Sequence, residues 1–287
     1  MTSVPKKSKA RRSLLQRYAA APHIVWAILF IVAPLIFVAY YAFTDTVDGS
    51  VVFSIENLKT FFTPAYLKIF ARSIGLALIS TVICLILGYP IAYFISRTKP
   101  KTQRLLILLI MLPMWMNFII RTYSISELIK DTGIINSFLG NLGIPQMNIY
   151  GKEAAVVLGM VYDYLPYMIL PIYSVMAKLD YRLVEAAGDL GCNSFKVMTK
   201  VIFPLSRSGV ISGITMVFVP SISTFYISQK LGGPSTLLIG DVIEQSYNSS
   251  NYHLAAALSF VLMIILLIGL AVVNKYTDDD NGGGMLI

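Results

Sequence analysis

A single aspartate interrupts the apolar run AAVVLGMVYDYLPYMILPIYSVMA at residues 154–177. Asp163 lies nine residues into it, about 14 Å deep at ~1.5 Å per residue. A carboxylate at that depth costs on the order of 2.5–3.5 kcal/mol to insert into lipid, so it needs a partner or a pathway. Two readings stay open: Asp163 lends negative charge to a cation path, or it is a buried structural pair. Trp115, Asn117, Phe225 and Tyr226 fall at similar or slightly shallower depth in neighbouring apolar runs. An aromatic face can hold an ammonium for about 0.5–2 kcal/mol. Each of these aromatics alone reads equally as packing or interface anchoring. With Asp163 they form a lining for a long, flexible cation. Arg121 complicates that lining unless it snorkels to the interface or pairs with an acidic residue. Asp241 and Glu244 are three positions apart and can share a helix face, either as a solvated face or as a contact for substrate or a docked protein.

A second patterned stretch, DYRLVEAAGDLGCNSFKVMTKVIFPL, runs from Asp180 to Leu205. Asp180 is placed to cap a short helix carrying Arg182 and Glu185, with Ala186 and Ala187 keeping one face low. Gly188 and Gly191 offer a turn, with Gly191 suited to a left-handed stop. Ser194 is placed to cap a second helix that Pro204 would close or kink. The spacing predicts a helix–turn–helix whose small-residue surface another protein's groove can approach closely.

Other chemistries lack their residues. No GxxxxGK[ST] phosphate loop exists, and LGGPSTLL lacks the lysine and the spacing. His23 and His253 are the two histidines and stand at the edges of apolar runs, so no Ser/His/Asp or Cys/His set is available. No ligand-spaced metal cluster occurs, and Cys84 and Cys192 would occupy different compartments. The expectation is a chain that neither hydrolyses ATP nor binds a cofactor of its own. The composition is 56% hydrophobic and 13% charged, with a mean hydropathy of +0.70. Soluble domains carry about 25% charged residues, so these values point to lipid. The surplus of 23 Lys+Arg over 15 Asp+Glu sits in short clusters between apolar runs rather than along one face, which argues against a nucleic-acid partner.

Six segments reach the length that crosses a bilayer: Ile24–Phe43, Ser73–Ser96, Leu105–Tyr123, Ala154–Ala177, Ser208–Gln229 and Leu254–Asn274. Their continuity excludes barrel strands, so the predicted fold is an all-α membrane bundle of six helices. Basic residues set the orientation. The N-terminal KKSKARR cluster, Arg97 to Arg104, Lys178 to Arg207, and Lys275 all fall on one side. The positive-inside rule makes that side cytoplasmic, with both termini and the Asp180–Leu205 loop. Pro34, Pro90, Pro113, Pro166, Pro171 and Pro220 interrupt five of the six runs. Pro166 near Asp163, and Pro220 before Ser221, Ser223 and Thr224, are the expected sites of broken helices facing a cavity. Leu231-Gly232-Gly233-Pro234 predicts an outer turn that re-enters or caps that cavity.

Glu185-Ala186-Ala187, Gly191 three residues after Gly188, and Ile202-Phe203-Pro204-Leu205 resemble the "EAA" cytoplasmic loop of ABC-importer permeases. LPMWMNFIIRTYS (112–124) and FYISQKLGGPSTLLIGDVI (225–243) are similar to B-type permease subunits of the spermidine/putrescine importer family. The resemblance covers roughly residues 65–275. It implies a type-I ABC-importer transmembrane domain in the bacterial cytoplasmic membrane, forming half of a translocation pore. In that family the loop docks on a separate ATPase, which assigns Glu185, Ala186, Ala187, Gly191 and Pro204 to coupling. The implied partners are a homologous C-type permease, two ATPase subunits that use ATP and Mg, and an extracytoplasmic binding protein. The implied organisation is a basic N-terminus (1–22), a first helix and outer loop (23–66), a permease domain (67–275) with its coupling loop (178–207), and a flexible tail (276–287). Two alternatives stand beside a polyamine permease: an importer of another small solute, such as an anion or an opine-like compound, which Arg121 keeps open, and a self-sufficient channel or secondary transporter.

Overall fold

The computed structural model describes residues 21–180, 182–234 and 236–280. The basic N-terminal cluster therefore lies outside the described residues. The first helix, α1 (Pro22–Ala42), is apolar on every side, and none of its most hydropathic 18 residues is fully buried against the rest of the protein. One π-helical turn, Ile28–Val32, lies in its middle. Its later part packs on the last helix.

A β-hairpin follows, where the hydropathy pattern predicts only a loop in an all-α chain. Strands β1 (Thr44–Val47) and β2 (Ser50–Phe53) pair antiparallel around Asp48-Gly49. Both turn residues have positive φ, +51° and +78°, as a two-residue hairpin turn of matching twist requires. The Asp-Gly pair between β-branched residues is the local signal for it. His253, at the start of the last helix, holds the hairpin with ring nitrogens 3.1 Å from Thr46 Oγ1 and 3.2 Å from the Tyr41 carbonyl.

After α2 (Glu56–Phe61) comes α3 (Pro64–Ser96), which begins nine residues before the expected Ser73 because Pro64 opens the helix at its first turn. The expected third span, Leu105–Tyr123, is not one helix. It is α4 (Pro100–Trp115) and α5 (Phe118–Ile129), and the bend to the α5–α6 segment is 93°. Short α6 (Ile134–Asn141) leads to α7 (Glu153–Met176). Pro166 and Pro171 lie inside α7 without breaking it, contrary to the expectation for Pro166.

Then come α8 (Arg182–Asp189) and α9 (Ser194–Leu205), the latter bent by 71° from α10 (Arg207–Ser223). The expected fifth span therefore stops at Thr224, whose ψ of 142° is extended, before α11 (Tyr226–Leu231). Finally α12 (Ile239–Asn248) precedes α13 (Tyr252–Asp280), which stays helical five residues into the expected tail. Among the described residues, four helices are long and apolar enough to cross a membrane, or up to six if each bent pair counts as one.

The core is α3, α7 and α10, packed pairwise. Met168 is fully buried between Gly88 and Gly213, where an added Cβ would lie 3.0 Å from Met168 Cγ and 2.7 Å from its sulfur. Small residues at helix crossings let backbones approach closely, which is how apolar helices associate without a hydrophobic driving force.

Candidate functional site

The two helix breaks lie against the same stretch of α7. At the first, Met116 is extended and Asn117 caps α5, its side chain accepting from the N–H of Ile119 (2.9 Å) and of Ile120 (3.4 Å). A cap of this kind satisfies two of the donors a new helix leaves open. Arg121, one turn further, donates to the carbonyl of Pro113 (2.9 Å) at the end of α4, and to Asp163 on α7. Asp163 is 0% exposed and Arg121 5% exposed. Thr122 adds its hydroxyl to the second carboxylate oxygen at 3.0 Å. One carboxylate thus receives a guanidinium and a hydroxyl from α5, and the same guanidinium closes the end of α4.

The second break lies beside α7 one residue later, where the buried side chains of Tyr164 and Thr224 approach each other. The breaks also touch directly: Phe118, first residue of α5, stacks obliquely on Tyr226, first residue of α11, with ring centroids 6.2 Å apart. Lys230, one turn along α11, lies 5.6 Å from the Tyr226 ring. Two interrupted helices and one continuous helix therefore form a single polar and aromatic knot.

Beyond the second break, α12 lies against the carbonyls that the break exposes. An added Cβ on Gly240 would meet Thr224 O at 2.4 Å and Ser223 O at 2.6 Å, so only glycine permits this approach. Asp241 is buried and accepts from Leu238 N and from Ser228 Oγ, both at 2.8 Å. Burial pushes its carboxyl up to about 6; those two donors hold it back and nearby Glu244 raises it further. Glu244 accepts from Gln229 (2.8 Å) and Asn248 (2.6 Å). Asp241 and Glu244 thus pin α12 to α11.

The placements separate the residues expected to form a lining. Phe225 and Glu244 share the wall of a cavity of about 930 Å³ that opens between α1, α10, α12 and α13. Ser223, from the stretch after Pro220 expected to face a cavity, lines it too, as do Tyr41, Tyr247 and Tyr252, which the sequence did not single out as lining. Tyr247 and Tyr252 meet edge to face at 5.3 Å. Trp115 stands 72% exposed at the first break, Asn117 is occupied as a cap, and Tyr226 is half-buried in the knot. Asp163 is matched by a charge within the chain. Two opposite charges within apolar runs are themselves the sequence signal for that pair.

At the opposite end of α10, the predicted helix–turn–helix forms. Asp180 Oδ1 accepts from Arg182 N at 3.0 Å. The first helix ends with Gly191 N on Gly188 O (2.9 Å) and Cys192 N on Ala187 O (3.1 Å), with Gly191 at φ +78°. That is the bonding of a Schellman stop. Asn193, not Ser194, caps the second helix, its Oδ1 accepting from Lys196 N at 2.9 Å. The side chain one position earlier than Ser194 is the one that reaches the third N–H of the helix. A π-turn at Met198–Ile202 precedes Pro204, and the 71° bend follows at Ser206. Glu185, Ala186, Gly191 and Pro204 are exposed and Ala187 is buried. Leu190 and Phe195 are exposed by 85% and 75% beside them, an apolar face on a charged loop.

Residues 86–276 match the family described as "Binding-protein-dependent transport system inner membrane component". The chain is 38% identical over 258 residues to the spermidine/putrescine transport system permease protein PotB of Haemophilus influenzae, covering 88% of this chain and 90% of that one. It is 36% identical over 247 residues to PotB of Escherichia coli, covering 84% and 90%. A solved bacterial ABC transporter involved in import of the acidic polysaccharide alginate matches with a TM-score of 0.70 at 16% identity, covering 92% of this chain and 96% of that one. The alginate transporter in complex with its pentasaccharide-bound periplasmic protein matches at 0.73 and 14% identity, covering 96% and 98%. At such identities the two solved structures speak for the fold alone.

Proposed function

This chain belongs to the family of binding-protein-dependent transport system inner membrane components, and we propose that it is the permease subunit of an ATP-driven polyamine importer. The observation that carries the substrate class, beside the relatives' own names, is the cavity shared by Phe225 and Glu244. A polyamine alternates ammonium groups with methylene runs. Glu244, on a wall shared with tyrosines and a phenylalanine, receives the first, and the apolar walls of α10 and α13 receive the second. Arg121 does not favour an anion, because Asp163 already takes its charge.

In this reading the chain forms half of the pore, with six spans (α1, α3, α4 with α5, α7, α10 and α13) and both termini in the cytoplasm of a bacterial cell. A second, homologous permease completes the path, an extracytoplasmic protein delivers substrate, and two ATPase subunits hydrolyse ATP. The loop at 178–207 is the coupling element: Glu185, Ala186 and Gly191 give a low, orientable surface, and Leu190 and Phe195 supply apolar anchors. Movement of that loop reaches the break at Thr224 along α10, which is continuous between them. The knot at Asp163 then ties α4, α5 and α7 to the break at Thr224, so that movement carried along α10 reaches them.

The test is substrate-stimulated ATP hydrolysis by the reconstituted assembly. Spermidine or putrescine, delivered by the binding protein, is expected to stimulate it, and Glu244→Gln is expected to weaken the response. Stimulation by an anionic solute instead would retain the permease and reject the substrate class.

A further inference from the structure

A separate groove lies between α3 and α7. Its walls are Leu76, Ile79 and Ile83 from α3 and Ala154, Val157, Leu158 and Val161 from α7, enclosing about 580 Å³. The spacings are those of single helix faces. The two helices run parallel here, because Arg72 and Glu153, at corresponding ends of the apolar walls, form an ion pair at 3.3 Å. From Arg72 to Ile83 is about 16 Å, and from Glu153 to Val161 about 12 Å, at ~1.5 Å per residue. Half of a hydrocarbon core is about 15 Å. The groove therefore has the length of one leaflet, with the ion pair at headgroup level.

We propose that this groove holds one phospholipid with a zwitterionic ammonium–phosphate headgroup. An acyl chain lies along the apolar walls, the phosphate meets Arg72 and the ammonium meets Glu153. The charges argue for the zwitterion: a purely anionic head would face the Glu153 carboxylate, and a purely cationic one the Arg72 guanidinium. Arginine's planar donors suit phosphate oxygens. Glu153, with half its side chain exposed, is accessible to an ammonium.

Native mass spectrometry of the assembled transporter, taken from nanodiscs of equal phosphatidylethanolamine and phosphatidylglycerol, tests this. Retained phosphatidylethanolamine is expected to exceed phosphatidylglycerol about tenfold, the ratio set by one charge-assisted contact. Ala154→Trp, which fills the groove, is expected to abolish retention, and Arg72→Gln with Glu153→Gln to equalise the two lipids. If Ala154→Trp does not fold, Ile79→Trp, at a half-exposed position, serves the same purpose. Unchanged retention in the tryptophan variant, or no headgroup preference in the parent, overturns the proposal. So does a cross-link from a cysteine at Ile79 to a second permease chain.

Discussion

Arg121 and Asp163, 42 positions apart, are each other's counter-ion inside the protein, and the same guanidinium also holds the carbonyl of Pro113. A buried pair of this kind is asymmetric in its energetics. Removing one partner leaves a charge stranded, at about 3–5 kcal/mol, whereas replacing both with apolar residues is often neutral. Asp163→Asn and Arg121→Leu are each expected to lower the thermal midpoint of the detergent-solubilised protein sharply. Asp163→Leu with Arg121→Met is expected to recover most of it. A double variant as unstable as the sum of the singles would show that the Pro113 contact dominates.

Glu244 stands on the wall of the cavity that holds Phe225, and its carboxylate accepts from two exposed amides, Gln229 and Asn248. Glu244→Gln keeps the shape and removes the charge. The substrate-binding-protein concentration that half-stimulates ATP hydrolysis should change little, while the maximal stimulated rate falls about tenfold, the weight of one lost charged contact. Phe225→Leu should act in the same direction. Basal hydrolysis without substrate is the control.

At Gly191 a Cβ would meet no neighbouring atom within 4 Å, so space is not the constraint. The φ of +78° is. A left-handed conformation costs an L-residue roughly 1–2 kcal/mol, more when β-branched. Gly191→Val is expected to shift the loop and uncouple hydrolysis from transport with the protein still inserted, whereas Gly191→Asn should retain most coupling. Equal coupling in all three would detach the loop from the ATPase.

Asp241 binds its proton more tightly in the fold than its ordinary value of 3.8 allows, with a carboxyl near 6. The folded state thus holds more protons than the unfolded one between those values, and its stability falls as pH rises through that window. The thermal midpoint should rise on acidifying from pH 7 to pH 5 by more in the parent than in Asp241→Asn. Parallel curves would mean that the carboxylate is better solvated than its burial implies.

Gly240→Ala should disrupt the seat of α12, since the new carbon would overlap the Ser223 and Thr224 carbonyls. Loss of proteolytic protection in the 232–250 segment is the readout. Protection equal to the parent would show that α12 can shift without penalty.

Much of this arrangement is legible in the chain. Runs of twenty apolar residues, clusters of lysine and arginine between them, and the Glu185-Ala186-Ala187 to Pro204 stretch follow from local composition and spacing. Lipid penalises any unsatisfied backbone or charge along the run itself. Asp180 as a cap and Gly191 as a left-handed stop are readable for the same reason, since both concern bonds within a few residues. Less legible is where a run breaks. Pro166 is retained in a continuous helix while Met116 and Thr224, neither of them a proline, are extended.

The sequence by itself determined how many apolar runs the chain has, how they alternate with charge, and which loop carries the Glu185-Ala186-Ala187 to Pro204 pattern. Only the tertiary structure decided what the polar residues within those runs do. Asp163 could serve a pathway or a pair until α5 turned Arg121 and Thr122 toward it, and the surroundings of Glu244 stayed open until α12 gave it Gln229 as a partner and a cavity wall in common with Phe225. Hydropathy and caps are set by neighbours in the chain, whereas a buried charge is defined by whatever counter-charge folding brings to it across 42 residues.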